Sequence, residues 1–295
     1  MSILTRKEAS VLIGAALMLP QCSGRRGNAI VVGSKNFTEE FIIAEIYAQA
    51  LEHAGLQVVR KFDLGSTQIA MAALRRGDID LYPEYTGTAL IDVLHLPPMH
   101  DSDALYRRVK DEFERRYGLR WLQPSPMNDS QGLATTQAIS NQYRFTTLSQ
   151  LSRIAPQLRL GAIPEFVSRA DALPGLQKFY GGFRFKDVKT YDIGLKYRAL
   201  LHGDADVVTA FTTDGAIAAN KLVVLKDDKQ FWPAYHIAPV VRIDALRKAP
   251  LIAATLNKIA PAIDDATARS MNYAVDVRKQ DATDVASAFL KDLTR

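Results

Sequence analysis

Residues 73–88 read A-L-R-R-G-D-I-D-L-Y-P-E-Y-T-G-T, and residues 199–214 read A-L-L-H-G-D-A-D-V-V-T-A-F-T-T-D. The two stretches lie 126 residues apart, and six of their first fourteen aligned positions are identical: Ala73/Ala199, Leu74/Leu200, Gly77/Gly203, Asp78/Asp204, Asp80/Asp206 and Thr86/Thr212. Tyr85 falls opposite Phe211. Each copy has the pattern of a helix end, a glycine stop, a short buried strand and a loop carrying an aromatic ring. Two such units predict two similar α/β lobes. Ligands of open α/β sheets bind beyond the carboxyl ends of the strands, so each ring is expected at a binding edge. G-D-x-D after a helix is also common turn chemistry. The aromatic and the threonine that persist beyond the turn favour a repeat.

The 295 residues suffice for one large or two ordinary domains. With 47% hydrophobic and 23% charged residues the chain is globular in composition. Its net charge of +5 is scattered, and the nearest basic run, Arg107, Arg108 and Lys110, is diluted by Asp111, Glu112 and Glu114. A nucleic-acid surface needs a concentrated patch, so no nucleic-acid partner is expected. Arg6 and Lys7 precede the apolar run Val11–Pro20, which is too short to span a bilayer and fits a signal-peptide core over residues 1–21. The single cysteine, Cys22, follows in L-P-Q-C, where bacterial lipoproteins carry a lipid anchor. Pro20 and Gln21 stand where that signal usually has small residues, so ordinary cleavage nearby is the competing reading. The expected location is periplasmic, or lipid-anchored at the outer face of the cytoplasmic membrane.

In chain order, Ala29–Val32 reads as a first strand. A helix capped by Asn36 with Glu39 three residues on follows, carrying Phe37, Phe41, Ala44, Ala48 and Leu51 on one face and stopping at Gly55. Leu56–Phe62 is a second strand, and Ser66 opens the next helix. This βαβαβ pattern predicts a mainly parallel sheet flanked by helices. A second set of elements begins after residues 128–131, with strands at Leu158–Ile163, Phe185–Lys189 and the second copy of the repeat. A return point lies near Phe231–Tyr235, and Ile243–Arg295 reads as amphipathic helix. The expected organisation is a first lobe from residues 22–130 and 232–295 and a second from 131–231. Two hinge crossings join them, and such an arrangement closes around a ligand.

The five histidines show no ligand spacing, so no metal is expected, and there is no nucleophile elbow, Walker loop or dinucleotide fingerprint. Glu84 and Asp214 follow the two repeat strands, but such residues more often order a loop than perform acid–base work, and the chain is read as not an enzyme. Tyr82, Tyr85, Tyr191, Phe211, Trp232 and Tyr235 all fall in loops or strand ends. Converging ring faces bind quaternary ammonium groups, which cannot donate a hydrogen bond.

G-S-K-N-F-T-E-E at 33–40, G-D-I-D-L-Y-P-E-Y-T-G-T-A-L at 77–90, F-T-T-D-G at 211–215 and L-K-D-D-K-Q-F-W-P-A-Y at 225–235 closely resemble the substrate-binding proteins of bacterial osmoprotectant ABC transporters, in their ProX, OpuC and YehZ branch. The resemblance runs from about Ile30 to the C-terminus. It implies an α/β, two-lobed periplasmic-binding-protein fold (type II), each lobe a mixed, mainly parallel sheet flanked by helices. It also implies a monomer without cofactor that captures glycine betaine, choline or a similar compound and delivers it to an ABC permease and its ATPase. The cage rings it implies are Tyr85, Tyr191, Phe211 and Tyr235. Lys35, Thr88 and Arg169 would receive the ligand's carboxylate, because Arg and Lys make strong charge-assisted bonds to it. Where the family often has a tyrosine after N-T, this chain has Gln131. That difference keeps a second reading open, the same fold holding another small cation, zwitterion or amino acid. An enzyme on a two-lobed scaffold is a lesser one.

Overall fold

The computed structural model describes residues 29–293, so the expected signal segment and Cys22 lie outside the described residues. Among the described residues ten strands form two five-stranded sheets. They are β1 (Ile30–Gly33), β2 (Val58–Lys61), β3 (Leu81–Tyr85), β4 (Leu119–Trp121), β5 (Gln131–Thr135), β6 (Arg159–Ala162), β7 (Asp187–Thr190), β8 (Val207–Phe211), β9 (Val223–Val224) and β10 (Ile237–Arg242). The first sheet has the order β2-β1-β3-β10-β4 and the second β7-β6-β8-β5-β9. Four strands of each sheet run in one direction, and a single antiparallel strand, β10 or β5, is inserted between three of them and the fourth. The repeat strands β3 and β8 occupy the same central place in their sheets.

The identities within the repeat have the same structural cause in both copies. Gly77 and Gly203 end their helices at φ 76° and 78°, a left-handed conformation that glycine adopts without a Cβ clash. Asp78 and Asp204 then donate backbone N–H groups to Ala73 and Ala199. The Asp80 carboxylate accepts the Val31 N–H at 2.8 Å while its own N–H donates to the Val31 carbonyl. Asp206 treats Arg159 in the same way, also at 2.8 Å. The G-D-x-D turn therefore fixes the start of the neighbouring strand.

Both faces of the first sheet are covered. Alternation sends Ile30, Val32, Leu81 and Ile237 into one apolar cluster and Val31, Tyr82, Ala238 and Val240 into another, as period-two side chains require. The long helix Thr38–His53 fills the first cluster with Ile42, Ile43, Ile46 and Leu51. The helix boundary differs from expectation. Phe37, extended at φ −145° and ψ 160°, is the residue before the helix, and no side chain caps it. Glu39 and Glu40 are drawn to partners outside the helix instead of closing a capping box.

Strands β5 and β10 carry no expectation from the sequence. Pro239 lies in the middle of β10, where a proline normally argues against a central strand. It stands opposite Pro83 of β3. Antiparallel pairs alternate between bonded and non-bonded sites, and placing both prolines at one non-bonded site leaves that ladder intact.

Between the sheets the chain crosses at residues 127–130 and returns at 234–236. Asn128 and His236 form an isolated antiparallel bridge, and Asn128 Oδ1 accepts the Tyr235 N–H at 2.7 Å. The repeat threonines clamp these crossings. Thr86 Oγ1 accepts from His236 N and donates to Ala234 O, and Thr212 Oγ1 accepts from Ser130 N and donates to Asn128 O.

Candidate functional site

A cavity of about 340 Å³ lies between the two sheets, beyond the carboxyl ends of β3 and β8. Tyr85 and Phe211 are the last residues of those strands, and both line it. Tyr235 enters from the returning crossing. Gly87 makes room for it, because a Cβ there would lie 2.7 Å from two Tyr235 ring atoms. Lys35, Thr88, Gln131 and Arg169 are also on the wall. Seven of the eight expected ligand-binding residues thus converge. Tyr191 does not line the cavity; its ring lies against Gly161 of β6, and the residues that follow it, Asp192 to Gly194, reach the wall instead.

Three contributors escaped the sequence reading. Phe37 stacks between Tyr85 and Phe211, with ring centroids 6.3 and 6.4 Å away. Its helical spacing marked it as core, whereas its extended backbone aims the ring into the cleft. Asp129 is a wall residue on the first crossing. Asp171 is the hub of a buried network: Arg169 grips it through Nε at 2.8 Å and Nη2 at 2.6 Å, and its Oδ2 accepts from Gln131 Nε2 and the Tyr235 hydroxyl, each at 2.7 Å. The two-residue spacing of R-A-D was the only sequence signal for that pair.

Arg169 Nη2 also lies 3.3 Å from Thr88 Oγ1, a contact from the second sheet's half of the molecule to the first. Burial works against the Arg169 charge, but Asp171 outweighs it and its pKa is raised. Lys35 is differently engaged than its family role implies. Its ammonium bonds Glu84 at 2.7 Å, lies 3.4 Å from Glu40, and sits 4.5 Å from the Tyr85 ring centroid. Burial opposes that ammonium, yet Glu40 and Glu84 prevail and its pKa is raised. Lys196 mirrors it on the other side, 4.5 Å from the Phe211 centroid and 2.9 Å from Asp214.

A second network ties the halves together. Glu39 accepts from the Tyr85 hydroxyl at 2.7 Å and from Asn272 Nδ2 at 2.7 Å. Thr213 Oγ1 lies 2.6 Å from Glu39 Oε2 and 2.7 Å from Asp129 Oδ1. A hydroxyl has one proton, so the second short contact is completed by a proton held on a carboxyl group. Burial, and then the proximity of Glu39, pushes the Asp129 pKa well up, and burial raises that of Glu39. Among the described residues no group of three or more His, Cys, Asp or Glu is placed to hold a metal. No described helix is long and apolar enough to cross a membrane.

Comparison with known proteins agrees with this geometry. Residues 28–292 match the family described as the substrate binding domain of the ABC-type glycine betaine transport system. A glycine-betaine-binding protein of Pseudomonas aeruginosa is 36% identical over 88% of this chain and 86% of its own length. An ergothioneine transport permease/ergothioneine binding protein of Helicobacter pylori is 34% identical over 96% of this chain, which covers 51% of that longer protein. The crystal structure of a glycine betaine/carnitine/choline ABC transporter superposes with a TM-score of 0.73 at 30% identity, covering 89% of this chain and 98% of the other. The architecture is that of the type II periplasmic binding proteins, and the chain belongs to the family of substrate-binding domains of ABC-type glycine betaine transport systems.

Proposed function

We propose that this protein captures a small quaternary-ammonium compound or betaine in the cleft and hands it to an ABC permease driven by its ATPase. The reading rests on one observation, that Tyr85, Phe37, Phe211 and Tyr235 reach a single cavity from both sheets and from the crossing between them. Ring faces attract a cation without needing a donor from it. Arg169 with Thr88 receives a carboxylate at the ligand's other end. Lys35 serves by holding the Tyr85 ring in place. The lobes are residues 22–130 with 232–295, and residues 131–231. The protein is exported, either periplasmic or lipid-anchored through Cys22, and acts as a monomer without chemistry on its cargo.

The test is calorimetric titration of residues 23–295 with glycine betaine, choline, carnitine, proline betaine and ergothioneine. Binding of at least one with a Kd well below millimolar is expected. Tyr85→Ala should weaken it by tenfold or more, since a desolvated cation–π contact contributes about 2 kcal/mol. Tight binding of an ordinary amino acid or an anion, with none of these bound, would overturn the assignment.

A further inference from the structure

Gln131 lines the cavity beside the rings of the proposed reading, and its surroundings fix what it offers. It opens β5 and is the direct cross-strand partner of Phe211, so the two side chains stand side by side on one face. Its amide Nε2 lies 2.7 Å from Asp171 Oδ2, 3.3 Å from the Asp171 carbonyl and 3.2 Å from the Tyr235 hydroxyl. A carboxylate and a carbonyl only accept, so the group facing them is the NH2 end. The Tyr235 hydroxyl spends its proton on Asp171 and accepts from Gln131. Asp171 cannot turn away, because Arg169 holds both of its oxygens. Both amide protons are thereby committed behind the wall. The side chain is nine-tenths buried, lines the cavity, and its Oε1 accepts no bond from the described residues.

We propose that Gln131 is a specificity residue that presents a fixed carbonyl acceptor to the ligand's cationic centre, favouring ammonium groups that keep an N–H over fully methylated ones. The inference rests on the betaine reading of the site. A trimethylammonium group presents only methyl surface, which the rings accept but the carbonyl cannot bond. A dimethyl- or monomethylammonium group keeps most of that surface and adds a charge-assisted N–H···O bond, worth roughly tenfold to a hundredfold in affinity. Because the amide is clamped, it cannot flip to present its NH2 end instead.

The experiment is calorimetry with a matched series, glycine betaine, dimethylglycine and sarcosine, which share a carboxylate and carry none, one and two N–H groups. In the wild-type protein dimethylglycine should bind at least tenfold more tightly than glycine betaine. Gln131→Met, similar in length and without the acceptor, should bring that ratio to about one. Gln131→Tyr should invert it by supplying a ring in place of the acceptor. Melting curves establish that both variants are folded, and Asp171 keeps Arg169 and Tyr235 as partners in each. A wild-type preference for glycine betaine, or a ratio unchanged in Gln131→Met, overturns the role of Gln131 while the betaine reading stands. Failure of all three compounds, and of choline and carnitine, to bind overturns both.

Discussion

Glu40 is fully buried at the start of the long helix, with one oxygen accepting the Lys35 N–H at 3.0 Å and the other 3.4 Å from the Lys35 ammonium. Burial pushes its pKa up to about 8 against the attraction of Lys35, with Glu84 adding repulsion. The folded protein then holds a proton that the unfolded chain releases near its ordinary carboxyl pKa of 4.5. Stability from this group is complete below that value and is lost as pH rises toward about 8. One proton gives a slope of at most about 1.4 kcal/mol per pH unit. Urea unfolding midpoints measured from pH 5 to 8 should therefore fall with pH, and Glu40→Gln should flatten the decline. An unchanged slope in that variant would place the proton elsewhere. Asp129 and Glu39, also raised, act in the same direction and remain in the variant as a residual slope.

The repeated turn supplies a prediction at the level of elements. Asp80 and Asp206 each tie the start of a parallel strand to the strand beside it, so alanine at either position leaves one buried-edge N–H without its acceptor. Each substitution should cost about 1–3 kcal/mol by denaturant unfolding. Asp206→Ala also removes the Arg159 ion pair, which is too exposed to add much. Equal and small effects of exchanging either residue for a non-bonding neighbour type would mean that the match between the two copies is not structural. The parallel βαβ elements were legible because their glycine stops and apolar runs are local signals. Strands β5 and β10 were not, because they are antiparallel insertions completed by partners more than seventy residues away, and Pro239 disguises one of them. The site followed the same division. Rings at strand ends were legible from their positions, whereas Phe37 was hidden by helical spacing and Asp171 by having its three side-chain partners dispersed at 131, 169 and 235.

For the whole molecule, Thr213 is one of the contacts through which the halves meet away from the crossings. It follows β8 of the second sheet, yet its hydroxyl reaches Glu39 on the helix that packs against the first, and Asp129 between them. Replacing it with valine keeps the shape and removes the bridging oxygen. Ligand affinity should fall about tenfold, as expected for a hydrogen bond to a charged group. Small-angle scattering should show less compaction on ligand binding than in the wild type. Unchanged affinity and compaction would show that this contact does not hold the closed form. The paired crossings add a mechanical consequence. Because Asn128 and His236 are bonded to each other, and each strand of the pair is pinned by a repeat threonine, the two connections cannot slide past one another without breaking these bonds. The remaining soft motion is torsion about the line joining them. Such a joint favours the motion of a pair of tongs over that of a sliding drawer, so a ligand is gripped by how thick it is between the jaws.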